Sequence, residues 1–70
     1  MSPLDLSLPS TRYLQTLIRD QVPVQLTTLT GENLNGRLRW QDGECLCLAC
    51  GDGEILLWRS AVATVRPRIA

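Results

Sequence analysis

One stretch of alternating polar and apolar residues, with a glycine inside it, constrains the fold more than any other feature. Residues 31–42 read GENLNGRLRWQD. Side chains of a strand alternate between two faces, so one face is predicted to carry Leu34, Leu38 and Trp40, with Gly36 among them. The opposite face is predicted to be polar and to consist of Asn33, Asn35, Arg37, Arg39 and Gln41. A glycine inside a strand suits a sharp bend, and long bent strands let small sheets curl into barrels.

The length of the chain limits its stability as a single copy. Seventy residues form one domain, which buries only about 60% of the surface that its unfolded chain exposes. Disulfides, a metal or partner subunits usually add stability at this size. The three cysteines Cys45, Cys47 and Cys50 are odd in number and no histidine accompanies them. We therefore predict reduced cysteines that act as small core residues, with no metal and no cofactor.

Charge and targeting signals narrow the class of protein further. Seven arginines balance seven acidic residues and no lysine is present, so a bulk basic field for nucleic acid is absent. Any nucleic-acid contact must come from local arginines. Residues 1–8 lack the basic start and apolar run of a signal peptide, and no stretch is long enough to span a membrane. Free thiols without an export signal predict a cytoplasmic protein with no membrane insertion.

The first structured element is predicted to be a helix of about three turns. Pro9 and Ser10 resemble a helix start, with Ser10 as the N-cap. Apolar residues then recur at helical spacing at Tyr13, Leu14, Leu17 and Ile18. The helix is expected to end near Gln21, because a residue before a proline is disfavoured in helical conformation. Residues 1–8 are predicted to form a mobile tail that precedes one domain over residues 9–68.

Five strands are predicted after the helix, joined by short turns. The strand predictions cover residues 24–30, 33–41, 45–50, 55–58 and 62–65. The third is an apolar run typical of a fully buried strand. The last two contain neither charge nor proline, unlike the protected edges of monomers, so they are expected to pair with another copy. Head-to-tail pairing of this kind closes into a ring when the rotation permits. The predicted inter-subunit residues are Ile55, Leu57, Val62 and Val65.

The order and spacing of several short motifs resemble the Sm-like family, and specifically the cyanobacterial branch of the bacterial Hfq proteins. The motifs are Asp20-Gln21-Val22-Pro23-Val24, Gly31, Leu34-x-Gly36, Trp40-Gln41-Asp42 and Ala61-Val62-Ala63-Thr64-Val65 before Pro67. The resemblance implies a mainly β fold, with an N-terminal α-helix on a strongly bent five-stranded antiparallel sheet that forms a small open barrel. It also implies a homohexameric ring that binds single-stranded RNA as an RNA chaperone in post-transcriptional regulation.

The resemblance further implies three RNA-binding surfaces on the ring. The proximal, or pore, surface would use Ser10, Arg59 and Ser60, with Glu44 where the family has a stacking aromatic. The rim would use Arg19. The distal surface would consist of Thr27, Thr28, Gly31, Glu32, Asn33 and Thr64, and Thr27 stands where the family has a stacking tyrosine. Since stacking contributes about 1–3 kcal/mol per base, both replacements predict weakened RNA binding.

Two functional hypotheses follow, and a third is disfavoured. The chain is predicted to be an RNA-binding ring, or alternatively a protein-docking ring with little RNA binding. For the docking ring, the cyanobacterial branch implies a type IV pilus assembly ATPase as partner in motility. An enzyme is not expected, because no histidine, metal set or activated nucleophile is evident.

Several residues allow both a functional and a structural interpretation. Arg59 either binds RNA at the pore or satisfies the end of a strand. Arg37 and Arg39 are interpreted as solvating the outer face of a bent strand. The tryptophans Trp40 and Trp58 are predicted to lie in the core or at an interface rather than to stack on bases. Two further arginines near the end of the chain form either a basic fringe or an exposed tail: Arg66 and Arg68.

Overall fold

In a computed structural model that describes residues 4–68, one helix precedes a single five-stranded antiparallel sheet. The elements are α1 Pro9–Arg19, β1 Pro23–Thr28, β2 Asn33–Gln41, β3 Cys45–Cys50, β4 Gly53–Trp58, a 3₁₀ turn Arg59–Ala61 and β5 Val62–Pro67. The strands lie in the order β4-β3-β2-β1-β5. The predicted fold class is confirmed. Residues 1–3 of the predicted tail lie outside the described residues, and its mobility stays a prediction.

The start of α1 differs from the prediction by one position. Pro9 is the first helical residue and Leu8 is the N-cap, without a side-chain cap. The prediction of Ser10 as the N-cap was therefore wrong. The fixed φ of proline suits the first helical position, where its missing N–H is not needed. Ser10 consequently lies inside the first turn, and Arg12 N–H donates to the Leu8 carbonyl at 3.1 Å.

The end of α1 is closed by a Schellman motif built on a residue other than glycine. Gln21 adopts φ 51°, in the left-handed region. Its N–H donates to the Ile18 carbonyl at 3.2 Å, and Val22 N–H donates to the Leu17 carbonyl at 3.1 Å. These two bonds define the motif. Val22 also packs against the core, so the turn directs the chain from the helix into β1.

The core lies between α1 and one face of the sheet. Its buried members come from the helix, β1, β2 and β3: Leu17, Val24, Leu26, Leu38, Leu46 and Leu48. Partly buried residues from α1 and both edge strands pack around them, including Leu14, Ile18, Leu57, Val62 and Val65. The opposite face of the sheet, called the outer face below, has no helix over it within residues 4–68.

Gly36 allows β2 and β3 to approach very closely. A Cβ atom placed on Gly36 would lie 2.1 Å from the Ala49 carbonyl oxygen and 3.2 Å from Cys50 Cβ. No side chain fits there, because real Cβ contacts are essentially never shorter than 3.0 Å. The sequence predicted glycine here for a sharp bend, and the structure adds a second reason, which is that the backbone of β3 leaves no room for a side chain.

A bulge in β2 overturns the predicted faces of two residues. The register with β3 shifts between Leu38 and Trp40, and Arg39 and Trp40 are both exposed. A bulge inserts one extra residue and so reverses the alternation beyond it. Trp40 is 46% exposed rather than in the core. Gln41, predicted on the polar face with Arg39, instead donates to the Thr11 carbonyl of α1 at 3.1 Å.

Strand lengths differ from the predictions mainly at turns. β1 ends at Thr28, because Gly31 N–H bonds to the Thr28 carbonyl at 3.0 Å and starts the turn early. β4 begins two residues earlier than predicted, and β5 continues to Pro67, which an edge strand tolerates. β3 has the predicted bounds, yet only its middle residues 46–48 are buried. The prediction that the third strand is fully buried was therefore wrong.

The two strands predicted to pair with another copy lie at the two ends of the sheet. β4 pairs with β3 and β5 pairs with β1, so each has one open edge within the described chain. Three predicted inter-subunit side chains, Leu57, Val62 and Val65, pack against the core of their own subunit. Any pairing between copies would therefore use the strand backbones. A role for these side chains in contacts between copies stays a prediction.

Candidate nucleic-acid interface

Arg59 is held at the centre of the predicted proximal surface by groups of its own chain. Its Nε donates to the Asp42 carbonyl at 2.9 Å, and Nη2 donates to Gln41 Oε1. The amide of Gln41 in turn donates to Gln15 Oε1 at 3.0 Å. These bonds tie the turn after β4 to the end of β2 and to α1. Of the two interpretations of Arg59, the observed contacts match the structural one, in which its charge satisfies groups at the end of a strand.

Ser10 and Ser60 border two different cavities, and Arg59 borders both. A cavity of about 190 Å³ is bordered by Ser10, Asp5 and Arg59. A second, of about 420 Å³, is bordered by Glu44, Trp58, Arg59 and Ser60. Each cavity thus combines a serine and the shared Arg59 with an acidic residue. This arrangement provides hydrogen-bond donors at the proximal surface, while the carboxylates oppose phosphate.

Asp42 adds to the negative charge near the proximal surface. Backbone N–H groups of Glu44 and Cys45 donate to its Oδ1 at 2.8 and 2.7 Å. These bonds, and then the nearby Arg59, hold the pKa of the Asp42 carboxyl below its ordinary value. Asp42 is therefore ionised at neutral pH and shapes the β2–β3 turn, which places Glu44 beside Arg59.

The predicted distal residues gather around the turn between β1 and β2. Thr27 lies opposite Asn33 on one side and Thr64 on the other. Its hydroxyl donates to Asn33 Oδ1 at 2.8 Å. Thr28 Oγ1 accepts the Glu32 N–H at 3.1 Å, and Gly31 has φ 92° at the turn. The six residues form one polar, aromatic-free cluster on the outer face and its adjoining turn.

The predicted rim residue has an acidic neighbour that compensates its charge. Arg19 Nε and Asp20 Oδ1 are 3.0 Å apart in an exposed ion pair. The Asp20 side chain raises the pKa of Arg19. Since an exposed pair largely cancels the field of its arginine at a distance, Arg19 alone provides little attraction for phosphate.

Basic groups near the rim come from β2, which sequence reasoning did not select. A cavity of about 550 Å³ lies beside the end of α1, bordered by Ile18, Gln21, Arg37 and Arg39 together with residues of β2 and β3. Arg37 Nε donates to the Gln21 carbonyl at 3.0 Å, while Arg39 pairs with Glu54 at 3.5 Å. The signal was present in the sequence as two arginines on one strand, but their approach to α1 depends on tertiary folding.

Apolar side chains occupy the other end of the outer face. Cys47 lies opposite Trp40 on one side and Leu56 on the other, and Cys45 lies opposite Trp58. Leu56 is 48% and Trp58 55% exposed. We name Trp40, Cys47, Leu56 and Trp58 the apolar patch. Trp40 and Trp58 were predicted to lie in the core or at an interface. Both are outside the core, so the interface stays a prediction.

The cysteines show no arrangement for metal binding within residues 4–68. Cys45, Cys47 and Cys50 are free thiols, and the described residues hold no cluster of three potential metal ligands. Burial, and then nearby carboxylates, raises the pKa of Cys45 and Cys47. Cys47 is buried, whereas the other two are half-buried.

Comparisons with known proteins identify the family. A family model described as Hfq related matches residues 8–67. The chain belongs to the Hfq-related family. A crystal structure of an Hfq protein from Anabaena sp. shares 39% identity, covers 91% of this chain and 100% of its own, and has a TM-score of 0.80. The predicted Sm-like family and its cyanobacterial character are thus confirmed.

A more distant Hfq structure supports the fold. The pleiotropic translational regulator Hfq, solved at 1.55 Å, is 19% identical over 81% of this chain and 86% of its own, with a TM-score of 0.79. Comparison with curated proteins gave no match. Among the described residues, no helix is both long and apolar enough to cross a membrane. The Hfq-like fold is therefore retained at low sequence identity, and the chemistry of each surface depends on this chain's own residues.

Proposed function

We propose that this chain is an Hfq-like RNA-binding protein that acts as a homohexameric ring in post-transcriptional regulation, with RNA sites of low affinity. The main support is the 39% identity to the Anabaena Hfq over nearly the whole chain. The open edges of β4 and β5 support assembly, since an unprotected edge offers its backbone to another strand. Repetition of a weak site around a ring raises avidity, because later contacts are intramolecular.

Low affinity follows from the side chains at the predicted sites. No aromatic residue is present in the distal cluster, and each proximal cavity includes a carboxylate. The missing stacking is expected to cost about 1–3 kcal/mol per base. Binding then depends on hydrogen bonds and on arginine contacts with phosphate, which salt weakens.

RNA titrations test this function directly. We expect measurable affinity for short U-rich and A-rich RNA, by fluorescence anisotropy at moderate salt, and a steep loss as salt rises. Flat titrations with both RNAs contradict the proposal. Light-scattering mass at dilute concentration tests the ring, and a monomeric mass refutes the assembly that we infer from the edges.

Substitution of Arg59 tests the proximal surface. Arg59→Ala is expected to weaken U-rich RNA binding about tenfold, because a charge-assisted hydrogen bond contributes about 1.5–3 kcal/mol. Arg59→Lys retains the charge without the planar fork, so it should recover part of the affinity if the charge contacts RNA. If Arg59→Ala binds U-rich RNA with unchanged affinity and its circular dichroism spectrum is also unchanged, the pore has no part in RNA binding. Arg59 then has only a structural role.

A protein-docking ring is the second candidate, and the apolar patch is the observation that favours it. Exposed tryptophan and leucine side chains grouped on one surface are typical of protein interfaces. The family resemblance suggests a type IV pilus assembly ATPase as partner. A titration of the purified ring with that ATPase distinguishes the candidates. Binding that Trp58→Gln weakens, together with flat RNA titrations, would favour docking.

A further inference from the structure

Three arginines from two regions distant in sequence, Arg37 in one and Arg66 and Arg68 in the other, lie on the outer face of the sheet. Gln25 of β1 lies opposite Asn35 of β2 and Arg66 of β5. Pro23, two residues earlier, lies opposite Arg37 and accepts the Arg68 N–H at 2.6 Å. Neighbouring strands are about 4.8 Å apart and alternate residues are about 7 Å apart along a strand. The outward positions of β2, β1 and β5 therefore form a grid. Arg37, Arg66 and Arg68, named here the arginine strip, lie at one end of it, with Arg37 on the β2 side and the other two on the β5 side.

The arginine strip carries uncompensated positive charge in a chain with zero net charge. Ion pairs among residues 4–68 involve Arg19 and Arg39, but not the three strip arginines. No outward position of the grid is acidic; its other members are Asn33, Asn35, Gln25, Thr27, Thr64 and Pro23. All three arginines are exposed. The local charge is thus positive, although the net charge of the whole chain is zero.

Two of the strip side chains are oriented by their own neighbours. Arg68 Nη1 donates to Asn35 Oδ1 at 3.1 Å, and Arg37 Nε donates to the Gln21 carbonyl at 3.0 Å. A guanidinium has five N–H donors, so one internal bond leaves most of its fork for a ligand. Arginine held in this way binds phosphate in a planar, bidentate geometry at lower entropic cost.

The side chains beside the arginines favour nucleic acid over an acidic protein segment. Apart from Pro23, the other grid positions carry amides and hydroxyls, which offer both donors and acceptors, as base edges and riboses do. A carboxylate-rich peptide segment presents mainly acceptors from its side chains. The amide oxygen of Gln25 would then meet few donors.

We propose that the arginine strip binds the phosphates of single-stranded RNA whose bases lie over the adjoining polar part of the grid. This site rests on the proposed function. Its three arginines lie outside the predicted proximal, distal and rim sets, whereas the adjoining polar part of the grid includes Thr27, Asn33 and Thr64 of the distal set. Since phosphate contacts carry no sequence information, the strip contributes the same affinity to A-rich and U-rich RNA. It also partly offsets the missing aromatic rings.

Single-charge substitutions provide a matched test. Arg66→Gln is compared with Arg12→Gln, which removes one exposed arginine from α1, on the opposite side of the sheet. For Arg66→Gln we expect about tenfold weaker binding of both RNAs. In a plot of the logarithm of the affinity against the logarithm of the salt concentration, the slope for this variant should be shallower by about 0.7 for each phosphate that it no longer neutralises. Arg12→Gln should retain the wild-type affinity and slope, and Arg66→Lys should be intermediate.

The outcomes separate this site from the proposed function. RNA binding in the wild type with unchanged affinity in Arg66→Gln overturns the strip alone, whereas no RNA binding in the wild type overturns both. An equal loss in Arg12→Gln shows a general charge effect and also overturns the strip. Light-scattering mass is measured for each variant, and a loss of affinity that accompanies dissociation contradicts a direct contact. Poly-glutamate that binds more tightly than RNA through Arg66 would assign the surface to an acidic protein instead.

Discussion

The two ends of the outer sheet face differ in chemistry although one strand, β2, crosses both. Where β2 pairs with β1, its outward side chains are amides and an arginine, and those of β5 extend the same polar surface. Beyond the bulge, Trp40 joins Cys47 and Leu56 in an apolar surface. One bent strand therefore supports a surface suited to a charged ligand and a surface suited to another protein. The bulge between Leu38 and Trp40 separates them, and Gly36 lies in the part of β2 that pairs with β1.

Substitution of Gly36 is expected to have the largest effect on this division. Gly36→Ala places a Cβ 2.1 Å from a backbone oxygen, so the strands must separate and both surfaces lose their support. We expect a loss of more than about 3 kcal/mol in unfolding free energy, measured by urea denaturation. Gly53→Ala is the matched control, because nothing lies within 4 Å of its added Cβ. Similar midpoints for the two variants would contradict the close approach.

The apolar patch can be tested separately from the polar surface. If the patch is buried between copies, Trp58→Gln should raise the dissociation constant of the assembly about tenfold or more, since burial of a large side chain contributes about 1.5–3 kcal/mol. Sedimentation velocity across a dilution series measures this shift. Tyr13→Gln, which replaces an exposed aromatic residue on α1, serves as the control. An unchanged constant for Trp58→Gln excludes the patch from the assembly interface.

The smallest expected effect is at the end of α1. Gln21→Gly removes the penalty of φ 51° for a residue with a side chain, which is about 1 kcal/mol. The carbonyl that accepts the Arg37 Nε–H is retained, so thermal stability should rise while RNA affinity and its salt slope stay unchanged. A change in affinity would show that the conformation of this turn, beyond its carbonyl, affects the polar surface.

Local sequence signals predicted the elements better than their faces. The apolar run from Cys45 to Cys50 lies between turn residues, so its bounds were predictable. The bulge was not, because nothing in the alternation of β2 shows where pairing with β3 slips. Trp40 and Gln41 were consequently assigned to the wrong faces. At Pro9 and Ser10, two helix-start signals competed, and proline at the first helical position prevailed.

The candidate sites were less predictable than the fold, because they depend on strand pairing. Arg37 and Arg66 are far apart in sequence and share a surface only because β1 lies between β2 and β5. The bonds of Arg59 depend equally on the bulge, which turns Gln41 toward α1. The distal cluster was easier to identify, since most of its residues surround a single turn. The sequence thus predicted which residues lie together when they are close along the chain. Sites built from residues distant in sequence depend on the order of the strands in the sheet.

The order of strands has a consequence for synthesis of the chain. β4 and β5 follow each other with only a 3₁₀ turn between them, yet they lie at opposite ends of the sheet. β1 therefore keeps an unpaired edge on the ribosome until residues 62–67 have emerged from the exit tunnel. Contacts of long sequence separation form slowly, so a nascent chain that ends before Val62 exposes an unpaired strand edge. Translational pausing in this region would extend the period in which incomplete chains can aggregate through β1.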